Sequence, residues 1–309
     1  MPQTFTNPPP HVDADLSLPA PSANLDAPAP LRLWRLAGLW HLTSLDAPTV
    51  AVVWCLAFAW AAGVHLPLWI PLLLALVAWA VYIADRLLDA RSALRTANLT
   101  NLRDRHRFHH RHRRLMFPLA IAAALAAVWI VFTQMPIAAR ERNSALAAAA
   151  LAYFTRVHSP GRLPSFALSG LLKKELLVGL LFTAACALPA ISRLPVPGLL
   201  AALPLWADAA FFAQLAWLNC HAIDAWESSA IYPHTPQIQI QSSLLSLSGI
   251  ALALLLGPAH PHTAALVLCG VASSLLLALL DHFRYRITPL ALRAAADLVL
   301  LTPLALLLA

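Results

Sequence analysis

The chain has 309 residues, 60% of them hydrophobic and only 11% charged, with a formal net charge of +7 at pH 7. Soluble domains carry roughly 25% charged residues, so this balance excludes an ordinary soluble globular protein. The apolar residues gather in runs about as long as the ~20 residues needed to cross a hydrocarbon core, which predicts an all-α, polytopic membrane protein.

In chain order, residues 1–30 hold eight prolines and no Lys or Arg. They lack the basic and apolar regions of a signal peptide and read as a disordered, Pro-rich tail. Residues 31–43 ("LRLWRLAGLWHLT") are amphipathic and Trp-bearing, the pattern of a helix lying along the membrane interface. Residues 44–309 then read as one transmembrane domain. Its nine candidate helices lie near 47–65, 67–88, 115–136, 144–157, 169–190, 197–219, 242–258, 262–281 and 288–308. The first two are joined by a short turn around "GVHLP". Four cysteines, Cys55, Cys186, Cys220 and Cys269, fall in or at the end of apolar runs without motif spacing. They predict neither disulfides nor a cysteine metal site.

The nine-helix count divides the basic residues unequally. Eighteen of the 21 Lys and Arg fall on the side of the N-terminus, and only Arg140, Arg142 and Arg193 fall on the other. Positive charge favours the cytoplasmic side, so the N-terminus is expected in the cytoplasm and the C-terminus outside an inner, cytoplasmic membrane. The basic loops then serve as topology signal and as attraction for anionic membrane lipids. Nucleic acid is a poor partner for a single membrane-adjacent basic loop.

The acids are few, and two clusters of them end predicted spans on the cytoplasmic side. "AVYIADRLLDAR" (80–91) places Asp85 and Asp89 four apart, and "LNCHAIDAWESS" (218–229) places Asp224 and Glu227 three apart, after Asn219. Either spacing puts both carboxylates on one helical face. Taken singly, Asp85 with Arg86 and Asp89 with Arg91 also read as ion pairs at a helix end. Two acidic pairs meeting on one membrane face instead suit Mg²⁺, which takes a few carboxylates together with substrate phosphates. A diphosphate bridged by the metal, with Arg and Lys nearby, fits that pattern.

At these residues the chain resembles the UbiA superfamily of intramembrane prenyltransferases. Residues 85–89 resemble the last two aspartates of the family's N-D-x-x-D-x-x-x-D motif, with Val81 and Tyr82 in place of its Asn and first Asp. Asp224 and Glu227 keep the spacing of the second motif, with Glu for one Asp. "YFTR" (Tyr153 to Arg156) resembles the family's Y-x-x-K element, and "KKELLVGLLFTAACALP" (173–189) its fifth helix. The resemblance covers about residues 44–309. It implies a nine-helix bundle that transfers a prenyl group from an isoprenoid diphosphate to an aromatic or other lipophilic acceptor. It also implies Mg²⁺ held by Asp85, Asp89, Asp224 and Glu227 with Asn219 assisting. Asp85, Asp89 and Asp224 become the expected catalytic residues, and Arg91, Tyr153, Arg156, Lys173 and Lys174 the expected diphosphate contacts. Lys173 and Lys174 equally mark the cytoplasmic boundary, with Glu175 a partner for one of them.

Two rival readings stand beside this one. "RDRHRFHHRHRR" (103–114) places His106, His109 and His110 in the H-x-x-H-H arrangement of di-iron membrane oxidases. Such enzymes need several boxes, and this chain has one, flanked by arginines. A non-catalytic membrane protein with a degenerate prenyltransferase fold, binding lipid or a partner, is the other. Inside the spans, Asp297 is expected to pair with Arg293 one turn earlier, and Asp208 has no evident partner.

Overall fold

The structure is a computed structural model that describes residues 29–96, 104–158, 174–195, 198–228 and 236–308. The described residues form helices and turns without a strand. In order these are α1 (Ala29–Leu42), α2 (Asp46–Ala61), α3 (Trp69–Thr96), α4 (Asp104–Arg111), α5 (Arg113–Gln134) and α6 (Ile137–His158). They continue as α7 (Lys174–Ile191), α8 (Leu199–Ser228), α9 (Gln237–Leu256), α10 (Pro261–Phe283), α11 (Pro289–Leu298) and α12 (Leu304–Leu307). The expected tail, apart from its last two residues, and Lys173 lie outside the described residues.

Five of these helices, α3, α5, α8, α9 and α10, are long and apolar enough to cross a membrane, and α1 with α2 makes a sixth if that bent pair is one span. This is compatible with a multi-pass membrane protein. The remaining expected spans differ for visible reasons. The fourth lies inside α6, whose first turns carry Arg140, Glu141 and Arg142. The fifth, α7, is apolar only over Glu175–Ile191, short of a full crossing. The last is broken into α11, a 3₁₀ turn at Val299–Leu301 and α12. Pro303 has no N–H to continue the ladder. The Leu300 carbonyl accepts instead from Trp54 Nε1 at 2.8 Å. Thr302 Oγ1 meets Ser273 Oγ at 2.7 Å and donates to the Cys269 carbonyl at 2.7 Å.

The turns follow from local chemistry. Gly63, at φ +63°, closes α2. Val64 N donates to the Ala59 carbonyl and Gly63 N to the Trp60 carbonyl. That pair of bonds is a Schellman cap, which needs a left-handed residue at the glycine position. The short connection expected at "GVHLP" is therefore present. The corner between α1 and α2 bends by 91°. It turns on Ser44, a buried non-glycine residue at φ +58°. A left-handed serine is held only where its surroundings fix it. Here Ser44 Oγ lies 3.3 Å from His109 Nε2 of α4.

The core runs along α2, α7, α8, α9 and α10. Trp54 stacks on Phe212 with ring centroids 3.8 Å apart, and Phe58 meets Phe212 edge-on at 6.0 Å. Contacts at the two ends establish an alternating bundle. Trp60 at the end of α2 meets His262 at the start of α10, and Arg193 just beyond α7 lies over Trp69 at the start of α3. At the opposite end Trp226 of α8 donates to Asp281 of α10 at 2.7 Å. His262 thus stands at the end remote from α4. Among the described residues the cysteines form no disulfide.

Candidate functional site

At the α4 end, five long helix segments and α4 itself surround a cavity of about 360 Å³. Each wall is a helical stripe. Tyr82, Arg86 and Asp89 stand at i, i+4 and i+7 on α3, and Asn219, Ile223 and Glu227 at i, i+4 and i+8 on α8 with Asp224 beside them. Glu175, Val178, Gly179 and Phe182 line it from α7. Asp46 and Val50 come from α2, Arg293 and Asp297 from α11, and Arg105 from α4. A Cβ on Gly179 would stand 3.1 Å from the Ala213 carbonyl oxygen and from Trp217 N, so glycine there lets α7 and α8 close the wall.

The two acidic clusters seen in the sequence therefore reach one cavity, through Asp89 from the first and Asp224 and Glu227 from the second, with buried Asn219 between. Asp224 is exposed and marks the rim. Asp85 is half-buried and does not line the cavity, because the inward stripe of α3 is 82, 86 and 89. It lies instead within electrostatic range of Tyr153, as do Glu175 and Asp89. Tyr153 is half-buried on α6, and Arg156 and Lys174 fall at the cavity ends of α6 and α7. Arg91 points elsewhere: it is exposed and lines a separate groove on the other side of α3.

Three arginines that were not among the expected diphosphate contacts line the cavity: Arg86, Arg105 and Arg293. Glu227 is ion-paired to Arg293 and stands 3.4 Å from Arg105 Nη1. The expected pairing of Arg293 with Asp297 is corrected accordingly. Arg293 reaches across to α8, and Asp297 faces His41 at 3.4 Å and accepts from Asn219 Nδ2 at 3.4 Å. Asp46, the first residue of α2, lies 2.6 Å from His41 Nδ1 and 3.9 Å from Arg86 Nη2. His41 is 1% exposed, with Nδ1 close to both carboxylates. One signal for Asp46 was legible, an acid at the head of an apolar run five residues after a histidine. Its partner 40 positions on, Arg86, was not.

The distances bear on metal binding. Among the described residues, one group of three His, Cys, Asp or Glu side chains brings its donor atoms within 4.8 Å, and it is His41, Asp46 and Asp297. Asp89, Asp224 and Glu227 face the cavity without closing to that spacing. Mg²⁺ takes one or two protein carboxylates and completes its shell with water and phosphate oxygens, and Asp89 with Asp224 suits that donor set. Glu227, held by two guanidiniums, suits it less.

Among the described residues no histidine cluster of the di-iron kind is formed. His109 contacts Ser44 and, through Nδ1, the Arg105 carbonyl at 3.0 Å, while His110 contacts Arg113. These are packing and capping roles. Burial lowers the His109 pKa below the ordinary 6.5, chiefly by removing the ring from water. Asp208, buried in α8, has no hydrogen-bond partner for either carboxylate oxygen among the described residues. Comparison with protein-family models, with curated proteins and with solved structures returns no match to this chain.

Proposed function

We propose that the chain is a UbiA-type intramembrane prenyltransferase, which moves a prenyl group from an isoprenoid diphosphate to a lipophilic acceptor. The observation that carries this reading is the shared cavity, with acids from α3 and α8, three arginines, and apolar walls from Val50, Val178, Phe182 and Leu300. Its volume falls in the range of roughly 300–1,000 Å³ typical of small-molecule sites. In this reading the bundle crosses the membrane nine times, with α2, α6, α7 and the broken α11–α12 segment completing the five long spans. The cavity then opens at the cytoplasmic face, with the C-terminus outside.

Arg86, Arg105 and Arg293 bind the diphosphate oxygens and hold the group at the polar end of the cavity. Asp89 and Asp224 would hold Mg²⁺, which when bound would supply further positive charge for the diphosphate. As the allylic C–O bond breaks, the electron pair leaves with the diphosphate, and the guanidiniums stabilise that charge. Phe182, Val178 and Val50 exclude water from the prenyl carbon, so the acceptor forms the new bond and loses its proton.

The test uses purified protein in lipid with radiolabelled geranylgeranyl or longer prenyl diphosphates and a lipid extract as acceptor source. Mg²⁺-dependent product, lost in Asp89→Ala and Asp224→Ala, is the expected result. Absence of both binding and turnover sinks the proposal. One observation favours the non-catalytic reading in that event: Glu227 and Asp46 are already neutralised by arginines, as in a purely structural polar network.

A further inference from the structure

The groove that holds Arg91 is separate from the cavity and uses the opposite stripe of α3. Leu87, Arg91 and Leu94 stand at i, i+4 and i+7, against Arg113, Arg114 and Phe117 of α5. The space is open on one side and about 570 Å³, and His110 completes its polar end. Among the described residues no carboxylate lines it. Three guanidiniums from two helices therefore face one groove without a counter-charge among its described lining residues. Arg113 is oriented by His110, donating to its carbonyl at 3.0 Å and lying 3.1 Å from its Nε2. Two of the three cations occupy the first turn of α5, which holds no acid. Cations are unfavourable at that positive end of a helix, and a bound anion relieves the cost.

What adjoins the basic end decides the ligand. Phe117 is 59% exposed, and below it α5 presents Leu125, Trp129 and Phe132 at 64%, 71% and 66% exposure. Both α3 and α5 are apolar enough to span a membrane. The basic cluster thus sits at the end of two spans, with a continuous apolar face leading away from it. A small hydrophilic anion has no use for that face, and a neutral lipid has no use for three arginines.

We propose that this groove is a specific site for one anionic phospholipid. Its phosphate lies among Arg91, Arg113 and Arg114, and one acyl chain lies along Phe117 and the outer face of α5. Charge complementarity commits the site to a phosphodiester headgroup, and bidentate guanidinium contacts give the recognition. The site is independent of the prenyl-transfer reading, since Asp89 faces the cavity and Arg91 faces away from it.

The experiment is native mass spectrometry of the full chain released from nanodiscs holding equal amounts of phosphatidylglycerol and phosphatidylcholine. Wild type is expected to retain one phosphatidylglycerol per chain in preference to phosphatidylcholine. Arg91→Gln with Arg114→Gln should lower that retention by about thirtyfold, as two lost cations near an anionic surface imply. The single Arg91→Gln, at an exposed position, should lower it in part and guards against a folding defect in the double variant. Arg286→Gln, at the remote α10–α11 turn, should leave it unchanged. Equal retention of both lipids, or equal retention by wild type and Arg91→Gln, overturns the proposal. So does displacement of the lipid by millimolar inorganic phosphate, which would make the site one for a free anion.

Discussion

Asp46 begins α2, yet its carboxylate works mainly on other segments. It is 2% exposed, against His41 of α1 and Arg86 of α3. Removing one member of a buried charged group leaves the others uncompensated, at a cost of about 3–5 kcal/mol. Asp46→Ala should therefore lower the melting temperature in detergent markedly, and Asp46→Asn by less, because the amide oxygen still accepts from Ala47 N. Glu227 poses a different question. As a counter-ion for Arg293 and Arg105, its conversion to Gln frees two guanidiniums toward the cavity. Inorganic diphosphate, titrated calorimetrically without Mg²⁺, should then bind about tenfold more tightly, in line with ~1.5 kcal/mol for a charge-assisted contact. Weaker binding in that variant would identify Glu227 as a ligand-holding group instead. Residues in the acidic motifs were legible because both partners of each pair lie on one helix turn. Arg86 and Arg293 were not, because what they meet lies on other helices.

Among the elements, α9 and α10 show how small residues set packing. A Cβ on Gly249 would come within 2.6 Å of the Phe211 ring and 2.5 Å of Val271, and one on Gly270 within 2.5 Å of the same ring. Phe211 of α8 thus wedges between two glycines, a small-residue contact of the kind membrane helices use. Gly249→Ala should cost about 1–3 kcal/mol through overpacking, and a second change, Phe211→Leu, should recover part of it in a thermal shift assay. α4 offers a pH test. His109 holds the Ser44 corner as a neutral ring, with its pKa below 6.5 when folded. Its contribution is present above pH 6.5 and falls as the pH drops through that value, because the released ring takes up a proton more readily. Amide protection in α4, corrected for the intrinsic pH dependence of exchange, should therefore be lower at pH 5.5 than at pH 7.5, and His109→Gln should flatten the difference. The sequence showed the histidines as a basic run. That one of them props a corner 65 positions earlier depends on tertiary contact alone.

For the whole molecule, the helical class and membrane character follow directly from hydropathy, since an apolar 20-residue run has few other stable forms. The last segment was less legible, because its length suggested one continuous helix while Pro303 and the side chains around it divide it. Reporter fusions should place the first turns of α6, with Arg140 and Arg142, on the side opposite the N-terminus. The same fusions should place the loop after α8 on the N-terminal side. The reverse pattern would overturn the charge-based topology.

The indole of Trp54 reaches the Leu300 carbonyl, 246 positions later. Translation delivers α2 well before the broken segment that carries Leu300. The indole nitrogen of Trp54 must therefore stay unsatisfied, or borrow a temporary acceptor, until Leu300 has been made. A chain truncated before Leu300 should keep its helices yet leave that nitrogen unpaired, a mark of unfinished packing that quality control can read.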